Sequence, residues 1–388
     1  MLKKILSTLF KIALLLLWTI VFYLQFERPY IARFAQNVSP SLLISSITQN
    51  VFWIIWISLP LVLLAFLKGR FFCWKICPVG IIQDLIPSLG KPRFTNVNLL
   101  IFLALFSASI FSVNLLAVFD PLVSYNRIFT IIKFKSTVLL IFVLPLIVII
   151  LLNVYRKRFW CVSLCPLGAL IDWIINIKNK KKIDTDKRKT LLAFGAGLTA
   201  AAIYRTKSFF GRVVNDRLLR PPGALPEEKF VKQCIRCGSC ISVCLTGTLT
   251  PSFTEGGMEG IFTPKLTPQI AECDEFCNKC NEACPTFAIK KMTLEEKRNI
   301  KIGTADIDRR KCIAWSKNSL CLICQEVCPY LAIEKQKNIS GTPCPRVNPK
   351  LCRGCGHCEN SCPASPIRAI KVYNVDAGQV AANQPAGG

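Results

Sequence analysis

Sixteen of the 21 cysteines fall into four consecutive blocks. They are Cys234/Cys237/Cys240/Cys244, Cys273/Cys277/Cys280/Cys284, Cys312/Cys321/Cys324/Cys328 and Cys352/Cys355/Cys358/Cys362. The first and last read C-x2-C-x2-C-x3-C, the spacing with which thiolates hold a 4Fe–4S cubane. Two-residue gaps let the backbone curl around three corners of the cluster, and the cysteine three residues on points away, toward a neighbouring cluster. Four blocks imply four 4Fe–4S clusters in two pairs. The expected ligand sets are Cys234/Cys237/Cys240/Cys284 with Cys273/Cys277/Cys280/Cys244, and Cys312/Cys321/Cys324/Cys362 with Cys352/Cys355/Cys358/Cys328. A disulfide framework does not suit an odd cysteine count in a long chain with neighbours this closely spaced. Paired C-x2-C motifs also build zinc sites, but four blocks sharing their last two gaps favour iron.

A second ligand set lies in an internal repeat. Phe72-Cys73-Trp74-Lys75-Ile76-Cys77-Pro78-Val79-Gly80 and Trp160-Cys161-Val162-Ser163-Leu164-Cys165-Pro166-Leu167-Gly168 share aromatic-C-x3-C-P-apolar-G, with Asp84 and Asp172 four positions after the glycine. Proline suits the first turn of a helix, so Cys77 and Cys165 should stand at helix starts, where amides and dipole favour a thiolate. Together the motifs supply four sulfurs, enough for one further 4Fe–4S cluster held between the halves. Asp84 and Asp172 read as helix-surface residues. Arg70, Lys75 and Arg158 stand where they would offset cluster charge.

Other chemistries lack their residues. The single histidine, His357, lies in the last block, so bis-histidine haem is out of reach and no C-x-x-C-H attachment site occurs. No Rossmann or phosphate-loop glycine pattern is found. His357 reads as an exposed residue beside a cluster, and Cys344 as a free or supporting thiol.

The elements that must position these thiols divide by composition. The first 204 residues hold 23 Lys+Arg against 6 Asp+Glu, the remainder 26 against 17. Apolar runs at 5–26, 47–67, 99–119 and 138–155 approach the roughly 20 residues that cross a bilayer, which predicts four transmembrane helices. Lysine and arginine concentrate in 68–93 and 156–189, placing those segments and the amino terminus in the cytoplasm. Much of the chain's +26 net charge flanks these runs; without a nucleic-acid motif, nucleic acid is not a partner.

A fifth apolar stretch, 190–204, follows Lys187-Arg188-Lys189-Thr190-Leu191-Leu192 and resembles a twin-arginine export leader in Lys-Arg form. The expected organisation is a transmembrane domain at 1–178, a basic linker and leader-like segment at 179–204, a four-cluster domain at 205–375 and a disordered Gly/Ala/Gln/Asn-rich tail at 376–388.

The duplicated C-x3-C-P motif resembles NapH-type membrane iron–sulfur proteins, and Lys187 to about Tyr373 resembles NapG-type four-cluster proteins. The chain is thus similar to a natural fusion of the two, within the polyferredoxin and quinol dehydrogenase accessory family. Departures from that pattern are Leu245, where proline usually follows the fourth cysteine, the three-residue gap opening the second block, and the eight residues between Cys312 and Cys321.

The resemblance implies an α-helical membrane domain followed by an α+β ferredoxin-like domain. It implies passage of electrons from the quinol pool to a periplasmic reductase or dehydrogenase such as nitrate reductase, or to a cytochrome or ferredoxin-type carrier. The protein would be multi-pass in a bacterial cytoplasmic membrane, in contact with lipid, with its ferredoxin domain periplasmic. Two other classes share the motifs: a maturation factor using its clusters as reductant, and a cytoplasmic-facing ferredoxin module feeding a membrane quinone. Quinol oxidation needs proton acceptors, for which Glu27 and Asp120 are the outward carboxylates, beside Phe26, Tyr30, Phe119 and Tyr125.

Overall fold

The computed structural model describes residues 2–31, 70–90, 120–134, 137–178 and 218–374 except 254, 258 and 259. It also describes 60, 63, 67–68, 100, 103–104, 191–192 and 194–199. The chain divides into two compact units. One comprises Met1–Arg212, Pro226–Val243 and Ala283–Ala288; the other comprises Val213–Leu225, Cys244–Glu282 and Ile289–Gly388.

The first unit is helical. Helix α1 (Leu2–Leu24) carries no glycine or proline to interrupt its run of Leu, Ile and Phe. Helices α2 (Pro78–Leu85) and α5 (Pro166–Lys178) each begin at the proline of a C-x3-C-P motif. Between them lie α3 (Pro121–Phe134) and α4 (Thr137–Tyr155). Asp120 caps α3: its Oδ1 accepts from the Leu122 and Val123 amides at 2.8 and 3.0 Å. Further along, the unit contains α6 (Glu227–Gln233) and the single turn α7 (Ser239–Ser242).

The core of this unit gathers Phe22, Phe72, Leu122, Ile149, Trp160 and Leu167 around the motif cysteines. Phe22 stacks on Trp18 at 5.7 Å and meets Tyr125 and Phe129 at 5.6 and 5.7 Å. Burying one such ring contributes about 1.5–3 kcal/mol.

Four membrane helices do not emerge. Among the described residues one helix, Ile5–Leu24, is long and apolar enough to cross a membrane, and by length and composition it suits an anchor or a signal sequence alike. The run at 138–155 is helical, within α4. Leu146 and Ile149 in it are buried in the protein core, whereas Leu144, Ile147, Val148 and Leu151 are exposed. The runs at 47–67 and 99–119 lie largely outside the described residues, as do the basic segment 179–190 and the tail 376–388. Among the described residues the fold is therefore one long apolar helix together with ferredoxin-like iron–sulfur structure, not the four expected membrane helices.

The second unit holds three two-stranded antiparallel sheets joined by long loops. β1 (Leu249–Pro251) pairs with β2 (Pro264–Leu266), with Leu249 opposite Leu266. β3 (Gly303–Ile307) pairs with the distant β6 (Ile370–Asn374), Ala305 opposite Val372. β4 (Ile333–Lys337) and β5 (Pro343–Val347) form a hairpin. Helix α8 (Leu294–Asn299) opens with a capping box between Thr293 and Glu296. Single turns α9 (Ile313–Ser316), α10 (Ile323–Glu326) and α11 (His357–Asn360) are set among the later cysteines.

Candidate metal centres

In the first unit Cys73, Cys77, Cys161 and Cys165 are all buried, and Cys73 has the other three as its charged neighbours. Each C-x3-C segment is a turn of π-helix: the Cys77 amide donates to the Phe72 carbonyl at 2.9 Å, the Cys165 amide to that of Trp160 at 2.8 Å. Such turns are rare and gather at functional sites. Cys77 and Cys165 then cap α2 and α5, so the amides of Val79 and Gly80 reach Cys77 Sγ and those of Leu167 and Gly168 reach Cys165 Sγ. The glycines are sterically required: a Cβ on Gly80 or Gly168 would strike the carbonyl oxygen of Cys73 or Cys161.

The repeats are tied to one another by exchanged ion pairs. Arg70, three residues before Cys73, donates from Nε to Asp172 Oδ1 at 2.6 Å, with a second bond from the same guanidinium. Arg158, three residues before Cys161, binds Asp84 in the same way, Nε to Oδ1 at 2.6 Å. Each arginine therefore clasps the aspartate of the other motif in the bidentate geometry that makes such pairs strong. Lys11 of α1 joins Asp84 at 2.5 Å, and Arg158 also lies 5.5 Å from the Trp74 ring. Asp84 and Asp172 are thus structural partners of the site, a role the repeat pattern alone did not disclose.

The first ferredoxin-type loop belongs to the same unit. Cys234, Cys237, Cys240 and Cys284 are buried, and Cys234 has both Cys237 and Cys284 as neighbours. The Arg236 amide reaches Cys234 Sγ and the Ser239 amide Cys237 Sγ. Helix α3 holds the loop by its backbone: Asn126 Nδ2 donates to the Cys237 carbonyl at 2.9 Å and to Ser239 Oγ at 3.0 Å, and Arg127 Nε to the Arg236 carbonyl at 3.2 Å. Burial, with the like charge of Arg236, lowers Arg127 to about 10.

In the second unit three cavities are each lined by four thiols. The thiols are Cys312/Cys321/Cys324/Cys362, Cys328/Cys352/Cys355/Cys358 and Cys244/Cys273/Cys277/Cys280. The last cysteine of each later block lines the cavity of the other, and Cys244 sits with the second block. Two of these sites adjoin: the Cys273 amide donates to the Cys355 carbonyl at 2.8 Å, and Tyr330 lies between them, its hydroxyl pushed up to about 12 by burial and by Cys355.

None of the 21 cysteines forms a disulfide. Among the described residues no three His, Cys, Asp or Glu converge on a single metal ion. Around one zinc at about 2.3 Å the sulfurs would sit roughly 3.8 Å apart, and these thiols are not placed for such an ion. Burial pushes Cys234, Cys324 and Cys355 up to about 12 and Cys273 to about 11. Four thiolates in such a pocket need cationic iron at its centre, and the donor set fits a 4Fe–4S cluster.

The remaining sequence candidates sit as follows. Cys344 is buried on β5, donates to the Ala314 carbonyl at 3.3 Å, and packs with Cys312, Cys321 and Cys362 without lining their cavity. His357 is half-buried, and its backbone amide reaches Cys355 Sγ. Leu245 is exposed. Glu27 is exposed, whereas Asp120 is fully buried as the α3 cap, among the charged neighbours of Cys77 and Cys165. Tyr125 is packed in the aromatic core with its hydroxyl 2.9 Å from Thr19 Oγ1, not open to a ring.

Four-thiol sites of this kind define an iron–sulfur protein, and comparison with known proteins agrees. The family model for a 4Fe-4S binding domain matches residues 49–96 and 137–184, one copy on each C-x3-C-P motif. The methylamine utilization ferredoxin-type protein MauM of Paracoccus denitrificans is 36% identical over 191 residues, 47% of this chain and 81% of that protein. The ferredoxin-type protein NapF of Escherichia coli K12 is 34% identical over 152 residues, 39% of this chain and 84% of that one. NapG of the same strain, also described as a ferredoxin-type protein, is 30% identical over 155 residues, 37% and 65% respectively. No solved structure matches. The chain belongs to the ferredoxin-type proteins that include MauM, NapF and NapG, and is an iron–sulfur electron-transfer protein.

Proposed function

We propose that this protein carries electrons from the quinol pool through five 4Fe–4S clusters to a periplasmic oxidoreductase such as nitrate reductase, anchored in a bacterial cytoplasmic membrane by α1. Bound clusters would supply one-electron carriers. The chain's residues fix their spacing, exclude water and set their charge environment. The observation that carries this reading is the position of α3: its cap Asp120 neighbours Cys77 and Cys165, and Asn126, less than two turns on, holds the Cys237 loop. Two thiol sites thereby flank one short helix.

Contacts along α1 support a path across the membrane. Lys11 meets Asp84, Trp18 Nε1 donates to the Ile76 carbonyl at 2.8 Å, and Gln25 Nε2 donates to Asn126 at 3.0 Å. From Lys11 to Gln25 is about 21 Å of helix at 1.5 Å per residue. With Lys3 and Lys4 inside, the C-x3-C-P site would lie beside the middle of the anchor and the Cys234 loop beside its outer end. In the second unit the step from the Cys273 site toward Cys355 is short, and Cys358 in turn neighbours Cys324.

A reporter active only outside the cytoplasm, fused after Lys371, is expected to be active, and menaquinol should reduce the iron–sulfur absorbance of the full chain in liposomes. Cys77→Ser/Cys165→Ser should slow that reduction at least about tenfold while the ferredoxin-type clusters persist. A silent reporter would place the domain in the cytoplasm. An unchanged rate in the double variant would remove the C-x3-C-P site from the path.

A further inference from the structure

Arg127 and Arg236 head the fully buried large side chains among the described residues, at 0% and 2% exposure. Arg236 occupies the two-residue gap between Cys234 and Cys237 with φ +58°, where the last block has Gly354 at φ +74°. A non-glycine residue in the left-handed region is uncommon and is retained where its side chain has a task. Arg127 reaches the same loop from α3 through its bond to the Arg236 carbonyl.

Both guanidiniums bear on the same thiols: Arg236 on Cys234, Arg127 on Cys237 and Cys234. Asp120 is a carboxylate among Arg127's charged neighbours. A cluster with four thiolate ligands is anionic, and more so when reduced, so nearby positive charge favours the reduced form.

We infer that Arg127 and Arg236 raise the reduction potential at the Cys234/Cys237/Cys240/Cys284 site, making it the acceptor for electrons leaving the C-x3-C-P site. This rests on the cluster reading above. One electron leaves the first site and one arrives at the second; no bond forms or breaks and no proton moves. Both arginines are positioning residues that act through charge.

The test is an anaerobic redox titration of the full-length protein by electron paramagnetic resonance, with iron measured on each sample. Arg127→Gln should lower the equilibrium constant for reducing one signal at least tenfold, a shift of about 59 mV per tenfold for one electron. Arg127→Lys, which keeps the charge, should stay within about threefold of the parent. An unshifted signal in Arg127→Gln at full iron content overturns the inference, as does a lysine variant shifted as far as glutamine. If Arg127→Gln loses the cluster, Asp120→Asn decides: asparagine keeps the cap, and removing the opposing charge should move the same signal upward by at least about threefold. No upward shift overturns the inference. A parent protein without iron at this site would instead sink the cluster reading.

Discussion

Arg70→Ala is expected to destabilise the first unit by about 3–5 kcal/mol, the cost of leaving one member of a buried ion pair uncompensated. The side chains of Arg70 and Asp172 are 7% and 29% exposed, those of Arg158 and Asp84 10% and 12%. Because each pair runs from one repeat to the other, its loss also frees the two halves of the C-x3-C-P site to separate. Stabilities of single domains are commonly about 5–15 kcal/mol, so the loss is a large share. Thermal unfolding of the full chain, followed by cluster absorbance, should show an earlier transition for Arg70→Ala and Asp172→Ala. The exchanged variant Arg70→Asp/Asp172→Arg should recover part of it. Single variants within about 0.5 kcal/mol of the parent would mean the pairs are incidental.

Cys284→Ser is expected to damage the cluster of the first block, although Cys284 belongs by sequence to the second. Cys284 neighbours Cys234 and Cys237, while Cys244 lines the cavity of Cys273, Cys277 and Cys280. Residues serving one centre are not additive, whereas independent centres are. Cys240→Ser/Cys284→Ser should therefore lose no more than the about four irons of one cluster. Cys277→Ser/Cys284→Ser should lose about eight, two clusters' worth. Iron assay of the purified variants separates the two patterns. The reverse pattern would mean each block ligates its own cluster.

Local spacing singled out the thiols that line the three cavities, because a turn of two or three residues has few ways to present sulfur. The C-x3-C-P-apolar-G signature likewise carried its own geometry: proline to start a helix, glycine to let its first turn approach the preceding carbonyl. Hydropathy was a weaker guide. It measures apolarity without saying whether lipid or protein receives it: on α4 Leu146 and Ile149 turn into the protein while Ile147 and Leu151 turn outward. The arginine–aspartate exchange joins residues 102 and 74 positions apart. The repeat displayed both arginines and both aspartates at matching positions, but not that each half would clasp the other. The hold of α3 on the Cys237 loop spans 111 positions and has no local signature.

The count of iron and acid-labile sulfide in anaerobically purified full chain tests the central claim most directly. Five four-thiol sites predict about 20 irons per chain, falling to about 16 in Cys77→Ser/Cys165→Ser. About 16 in both proteins would contradict the account, leaving the C-x3-C-P cysteines without a cluster and the path without its first carrier.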